Sequence, residues 1–503
     1  MKAKIDRILE TLQDVVEDKK EFAEIKSLLD NYFKALGPLS ESEVKDFKKL
    51  KELKPVIFNY EKKYIPIFKE NLEVTKQLKP DNLILTLGLS PEPVILSILC
   101  FKPKRVFLLH TDESLNQAAI LKQDKHILDL DIQISCHKIT EYDAKENYRV
   151  VKKLIENISG STVVDPTGGR KIMIASVSLA SFYYRLPMVY MHSEDLKRQV
   201  VPLSDRLHII ENPLYSYGDT DLTFIENLFN AHMYEAAAKV ADSLKDSIKD
   251  VETTKKMELL SELLTVYRDW DAFKHSTPDE KVKISIRLAR IFSDMKKFKL
   301  TKWLPENIEN NIKFLKEVER LHKRNSFNMT DEFRIVDVYL SALRRGSEKQ
   351  GKYDDAVARL YRCIEMCATY VLKKKFGLNS TESPDYEKIA KRAGKSVKEI
   401  KEEFHKNYNH DLPDCKLGLD NQMKLLKLLG PSNLIPKIYL GMEDLMKMRN
   451  RSILAHGSRP CTETDWSQFR EKTKVIIENV IGKEDFNLLY EMAKHGFIDL
   501  SRI

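Results

Sequence analysis

The chain has 503 residues, 42% hydrophobic and 32% charged, with a formal net charge of +8, the balance of a soluble globular protein with room for roughly two to four domains. Met1 to Leu36 is charged and periodic, so no secretory signal is expected, and the longest apolar stretch, Ile172 to Tyr184, is too short and too polar to span a bilayer. Six cysteines without a Cys-x-x-Cys pair fit reduced thiols and a cytoplasmic location, while the excess of positive charge permits an anionic partner without demanding one.

Helical spacing runs from the N-terminus to about residue 78. Ile5, Ile8, Leu9, Leu12, Val15 and Val16 form one apolar stripe, continued by Phe22, Ile25, Leu28, Leu29 and Phe33. Gly37-Pro38 ends one helix and Ser40 can start another. The stripe predicts a packing surface, and residues 1–80 are taken as a helical extension without chemistry.

From Asn82 the period changes. Asn82 to Leu87, Arg105 to His110, Asp131 to Lys138, Ser161 to Asp165 and Pro187 to His192 read as buried strands, each of the first four followed by a helical stretch. This alternation predicts a mostly parallel sheet covered on both faces. Val200 to Leu203 and Arg206 to Ile210, split by Ser204-Asp205, read as a terminal hairpin. Beyond Pro213 the strands stop and every periodic stretch is helical. The charged run Arg344 to Lys352 is a candidate hinge before a last helical domain that starts at Tyr353.

Ligands bind open α/β sheets outside the carboxyl ends of strands. Three such ends carry suitable residues: Gly88 to Ser90, Thr111 to Glu113 and Asp165 to Lys171. In the last, Gly168 and Gly169 let the backbone approach a phosphate, and the following helix offers free N–H groups. Thr167 adds a hydroxyl, and Arg170 or Lys171 adds charge. A tight turn needing glycine is the alternative, but a cation pair directly after Gly-Gly exceeds what a turn requires. The sequence matches neither the phosphate loop of nucleoside triphosphatases nor the Gly-x-Gly-x-x-Gly fingerprint.

Near the C-terminus, Met448-Arg449-Asn450-Arg451-Ser452-Ile453-Leu454-Ala455-His456-Gly457 follows apolar residues at helical steps. On a continuous helix Arg449 and His456 lie two turns apart on nearly one face, whereas Arg451 points away from His456. Imidazole moves protons near neutral pH and guanidinium holds phosphate, a pairing that suits phosphodiester chemistry without a metal. A charged helix face capped by Gly457 is the plainer reading, and these residues alone leave both open.

Taken together the motifs become recognisable. Thr86 to Pro93 with Asp165 to Met173 resembles the CARF domain of CRISPR-associated proteins. Arg449-Asn450…His456 resembles the Arg-x(4–6)-His motif of HEPN ribonucleases, and Arg359 to Glu365 looks like the first helix of that domain. The combination resembles the ancillary ribonucleases of type III CRISPR systems. It implies an α/β plus all-α chain: a Rossmann-like CARF domain at 81–214, a helical connector at 215–350 and a helical HEPN domain at 351–503. It further implies a homodimer with composite sites, cytoplasmic and without membrane contact. Cyclic oligoadenylate would be the allosteric activator, held by Gly88, Ser90, Thr111, Asp112, Thr167, Gly168, Gly169, Arg170 and Lys171. Arg449, Asn450 and His456 would cleave single-stranded RNA, with Arg451, Ser452, Arg362 and Glu365 as substrate contacts or support. No metal or other cofactor is required by this chemistry.

A second function class is a nucleotide-sensing regulator whose HEPN-like domain binds RNA or a partner without cutting. A CARF transcription regulator is disfavoured, because no compact helix-turn-helix with basic recognition residues is evident. His405, His410, Asp411 and Cys415 lack the spacing of a metal site. Cys363 and Cys367 read as core, Trp270 and Trp466 as packing residues, and Lys373 to Lys375 as a solvated face able to steer RNA.

Overall fold

The protein is described by a computed structural model covering residues 2–39, 47–248, 251–276, 283–322, 332–430, 434–455 and 457–500. It divides into two compact units, Met1–Ser216 and Tyr217–Ile503.

In the first unit, β1 (Asn82–Thr86), β2 (Arg105–His110), β3 (Gln133–Lys138), β4 (Thr162–Asp165) and β5 (Met188–His192) are followed by the short β6 (Asp195–Leu196) and β7 (Gln199–Val200) and by β8 (Arg206–Ile210). Six of them form one sheet in the order β3-β2-β1-β4-β5-β8, parallel except where β8 meets β5. Successive side chains on a strand point to opposite faces. Leu83, Leu85 and Leu87 accordingly enter one core, together with Leu12, Ile25, Leu29 and Phe33 of the N-terminal helices. Ile84, between them, enters a second core with Val151, Leu154 and Val177. Both faces of β1 are thus covered, which is why Leu83 to Leu85 is continuously apolar.

The helical extension is part of this unit's packing. Ile8, Leu12 and Val16, three residues of the predicted stripe, are buried. The helix Lys19–Leu36 ends ahead of Gly37 as expected, whereas Ser40 lies outside the described residues. Asn71, fully buried on the helix Lys69–Gln77, donates to Ile65 O at 2.8 Å and Asp205 O at 3.4 Å and accepts from Leu207 N at 2.7 Å. It joins the N-terminal helices to β8 through three backbone groups, and its removal leaves the Leu207 N–H without this acceptor. Asn71→Ala is expected to lower stability by about 1–3 kcal/mol, read as an earlier urea midpoint at unchanged slope.

The predicted hairpin between 200–203 and 206–210 is not formed. Arg206–Ile210 instead returns along β5, with Tyr190 opposite His208. Gln199–Val200 pairs with Asp195–Leu196 across Lys197 and Arg198, both at positive φ (51° and 59°), the two-residue turn that matches strand twist. Val201 and Leu203 are fully buried in the core shared with the N-terminal helices, and their N–H groups are taken by Glu194 O at 2.8 Å and Glu61 Oε1 at 2.7 Å.

The second unit is helical wherever it has regular structure among the described residues. One apolar core runs from Leu222 to Leu500 and takes in residues on both sides of position 350. The candidate hinge is pinned: Asp271 holds Arg344 at 3.0 Å and Arg345 at 2.5 Å, and Lys352 N donates to Arg345 O at 2.9 Å. Trp270 is buried with its indole N–H on Asp337, and Cys363 and Cys367 are buried free thiols. His405 pairs with the Asp411 carboxylate at 2.8 Å, whereas His410 meets the Asp411 carbonyl at 3.2 Å and the Lys424 amine at 3.0 Å, so the two imidazoles share no side-chain partner.

Candidate functional site

The sheet order sets the position of the first site. From β1 the chain steps outward through β2 and β3, then crosses back to β4 and β5 on the other side. A crevice therefore opens at the carboxyl ends of β1 and β4, where the direction of winding reverses. A pocket of ≈ 330 Å³ lies there, lined by Gly88, Ser90, Thr111, Glu113, Ser114, Thr167, Gly168, Gly169 and Arg170 among others. Seven of the nine residues expected to contact ligand are thus brought together.

The glycines are demanded by the meeting of two loops. Thr86 Oγ1 donates to Gly168 O, and a Cβ on Gly168 would run into Thr86 O. A Cβ on Gly88 would lie 2.7 Å from Gly169 N, and Gly169 has φ +94°. The turn alone explains these residues, and its backbone-to-backbone packing also forms the floor of the pocket. Thr167 is spent on structure: its hydroxyl donates to Asp165 Oδ1 and accepts from Met191 N at 2.8 Å. Burial pushes the Asp165 carboxyl up, opposed by the hydrogen bonds from Thr167.

Arg170 precedes the helix Lys171–Tyr183, and its guanidinium meets Glu113 at 2.6 Å and Glu141 at 2.7 Å. Two expected contacts fall elsewhere. Asp112 does not line the pocket and pairs with Lys138 at 2.8 Å, while Lys171 is exposed beyond the lining. Glu113 stood at one of the three strand ends singled out but was not counted among the ligand contacts, and Glu141 was missed. Glu141 follows β3, whose carboxyl end is also a strand end of this sheet, so the rule that located the other loops points to it.

The second site departs from its expected geometry. The helix carrying Arg449 spans Glu443–Asn450 and is capped by Arg451, so the continuous helix expected beyond Arg449 stops one residue later. The chain folds back instead: Gly457 N donates to Ser452 O at 3.1 Å, Arg459 N donates to Arg451 O at 3.2 Å, and Ser452 bridges Arg459. Gly457 is not the helix cap. A Cβ there would collide with the Arg451 carbonyl, so glycine permits the return of the chain. Ser452 is buried in this turn, whereas Ile453 and Leu454 are exposed. His456 lies outside the described residues.

Arg449 is placed by another helix. Its guanidinium lies 4.0 Å from the ring centre of Tyr361, on the helix Tyr353–Phe376, and its Nη1 donates to Asn450 Oδ1 at 3.0 Å. Burial pushes the Tyr361 hydroxyl up in pKa, and the Arg449 charge opposes that shift. Arg362 and Glu365 pair with one another on the same helix, while Arg451 is exposed. Tyr361 was missed because the contact joins helices far apart in the chain; its place beside Arg362 in the first helix of the resembling domain was the available signal.

Residues 323–479 match the family described as the Csm6 HEPN domain. The CRISPR system endoribonuclease Csm6 of Thermus thermophilus is 26% identical over 402 residues, 74% of this chain and 79% of that protein. Among solved structures, Enterococcus italicus Csm6 bound to cyclic hexa-2′-fluoro-hexa-dAMP aligns with 82% of this chain and 98% of its own, at 15% identity and a TM-score of 0.45. Can2 from Sulfobacillus thermosulfidooxidans, in complex with cyclic tetra-adenylate, aligns with 44% of this chain and 70% of its own, at 13% identity and a TM-score of 0.23. Residues 323–479, in the helical part that follows the parallel sheet in the chain, are thus similar to the Csm6 HEPN domain, and most of the chain is similar to a CRISPR system endoribonuclease.

Proposed function

We propose that cyclic oligoadenylate binds the pocket at the β1–β4 end and switches on metal-independent cleavage of single-stranded RNA at Arg449 and His456, in type III CRISPR antiviral defence. The observation that carries this reading is the setting of Arg449. Inside the segment matching the HEPN family, its guanidinium rests on an aromatic ring and an amide, and no ion pair with a carboxylate is formed among the described residues. Such a cation is open to a phosphate. His456 activates the RNA 2′-hydroxyl or protonates the departing 5′-oxygen, and Arg449 stabilises charge on the phosphorane between them. Attack of the 2′-oxygen on phosphorus with loss of the 5′-oxygen yields a 2′,3′-cyclic phosphate and a free 5′-hydroxyl. The nucleophile belongs to the RNA, so no metal is needed.

In this proposal the functional parts are the extension at 1–80, the CARF domain at 81–214, the connector at 215–350 and the HEPN domain at 351–503. Two chains pair in the cytoplasm, so that one ring-shaped ligand is shared and both motifs line one RNA cleft. Ligand acts by favouring the paired arrangement that aligns them. Labelled single-stranded RNA incubated with the protein and cyclic oligoadenylates in EDTA tests the chemistry. Fragments ending in 2′,3′-cyclic phosphate are expected; RNA bound but left whole favours the non-cutting regulator.

The carboxylates on Arg170 bear on affinity. An incoming phosphate meets an arginine already engaged by Glu113 and Glu141, and both acids repel it. Since exposed ion pairs are weak, Glu113→Gln with Glu141→Gln is expected to tighten binding of cyclic tetra- or hexa-adenylate by about three- to tenfold. Calorimetric titration measures it; weaker binding by the double variant would mean that the acids hold Arg170 in its binding position.

A further inference from the structure

The arginines around the HEPN motif differ in what holds them. Arg359 is held by Asp355 at 2.9 Å and by Ser341 Oγ at 2.9 Å, and Arg362 by Glu365. Arg449 is held instead by the face of Tyr361, 4.0 Å from its centre, with one hydrogen bond to Asn450. A carboxylate would neutralise the guanidinium and occupy the same fork of donors that grips a phosphate. An aromatic face attracts the cation through its quadrupole and leaves the N–H edge free. Tyr361 is half-buried on the long helix Tyr353–Phe376 and packs against the core of the unit. The support is therefore rigid, whereas Arg449 itself sits in the last turn of a short helix.

We propose that Tyr361 is a positioning residue of the ribonuclease site: its ring carries the Arg449 guanidinium and turns the N–H edge toward the scissile phosphate. The inference rests on the reading of Arg449 as the group that stabilises the phosphorane. It requires an aromatic ring and not merely a side chain of similar bulk. Leucine fills much of the space but leaves the guanidinium without its platform, so the arginine samples other rotamers and reaches the phosphate less often. Phenylalanine keeps the ring and its attraction for a cation.

Single-turnover cleavage of labelled single-stranded RNA, with cyclic oligoadenylate saturating, tests this in Tyr361→Phe and Tyr361→Leu, each alone and combined with Arg449→Ala. Tyr361→Phe is expected to stay within about twofold of the parent protein, and Tyr361→Leu to cleave about tenfold more slowly with KM nearly unchanged. The loss is expected to vanish when Arg449 is already alanine, because the two side chains act as one unit. Equal rates for the Phe and Leu variants overturn the inference, and so does a loss from Leu that recurs in the Arg449→Ala background. Failure of the parent protein to cut RNA with any ligand overturns the proposed function and this inference with it. Cleavage by the parent with Tyr361→Leu undiminished overturns the inference alone.

Discussion

His456→Ala is expected to lower ligand-stimulated RNA cleavage by about 10²–10⁴-fold, the range lost when a general acid–base group is removed. Alanine takes away the only group of the motif that exchanges a proton near neutral pH, whereas Arg449, permanently charged, stabilises charge without moving protons. Both steps of the transfer suffer, since the 2′-hydroxyl keeps its proton and the 5′-oxygen leaves as an alkoxide. Arg449→Ala is expected to be slowed by a similar factor through loss of charge stabilisation on the phosphorane, leaving a residual rate that single-turnover assays read. Affinity for cyclic oligoadenylate, measured by titration, is expected to be unchanged by His456→Ala. Undiminished cleavage by that variant would show that the Arg449…His456 motif does not perform the chemistry.

At the other site the largest effect is expected from Gly169→Arg. Gly169 has φ +94°, a conformation costing a side chain of order 1–3 kcal/mol, and a Cβ there lies 2.9 Å from Met173 Cε. The added guanidinium also projects from the floor of a pocket of only ≈ 330 Å³. The stimulated increment of RNA cleavage is therefore expected to disappear at every ligand concentration. Gly168→Ala is expected to have the same outcome for a different reason, since its Cβ collides with the Thr86 carbonyl where the two loops join. Thermal midpoints of both variants separate the loss of a pocket from the loss of the fold. A stably folded Gly169→Arg protein that still responds to ligand would remove this pocket as the activator's site.

Much of the first unit was legible from local pattern. Continuously apolar runs such as Leu83 to Leu85 mark strands buried on both faces, and their alternation with helices fixes a parallel sheet with its crevice at the carboxyl ends. Pairing partners are less local. Val200 to Leu203 and Arg206 to Ile210 are both largely apolar, and only the free edge of β5 and the bonding of residues 199–203 to 194–196 and Glu61 decide against a hairpin between them. At the HEPN motif, Ile453-Leu454-Ala455 continues a helical pattern. The helix ends earlier because Gly457 and Arg459 return to Ser452 and Arg451, contacts invisible to any periodicity. The choice of Arg449 over Arg451 rested on a helix running on past Asn450, where it ends instead. What sets Arg449 apart is its place on Tyr361, while Arg451 is exposed. Charged partners were likewise hidden. Arg170 read as a free cation from the sequence and is engaged by Glu113 and Glu141, which come from separate loops.

The central claim is that ligand at the sheet end governs RNA cleavage in the helical unit. Its most direct test is the initial rate of single-stranded RNA cleavage in EDTA, with and without a panel of cyclic oligoadenylates of different ring size. At least one ring is expected to raise the rate by tenfold or more, on the order of the coupling between allosteric sites. A rate unaffected by every ring, or cleavage only after a divalent metal is restored, would contradict the account.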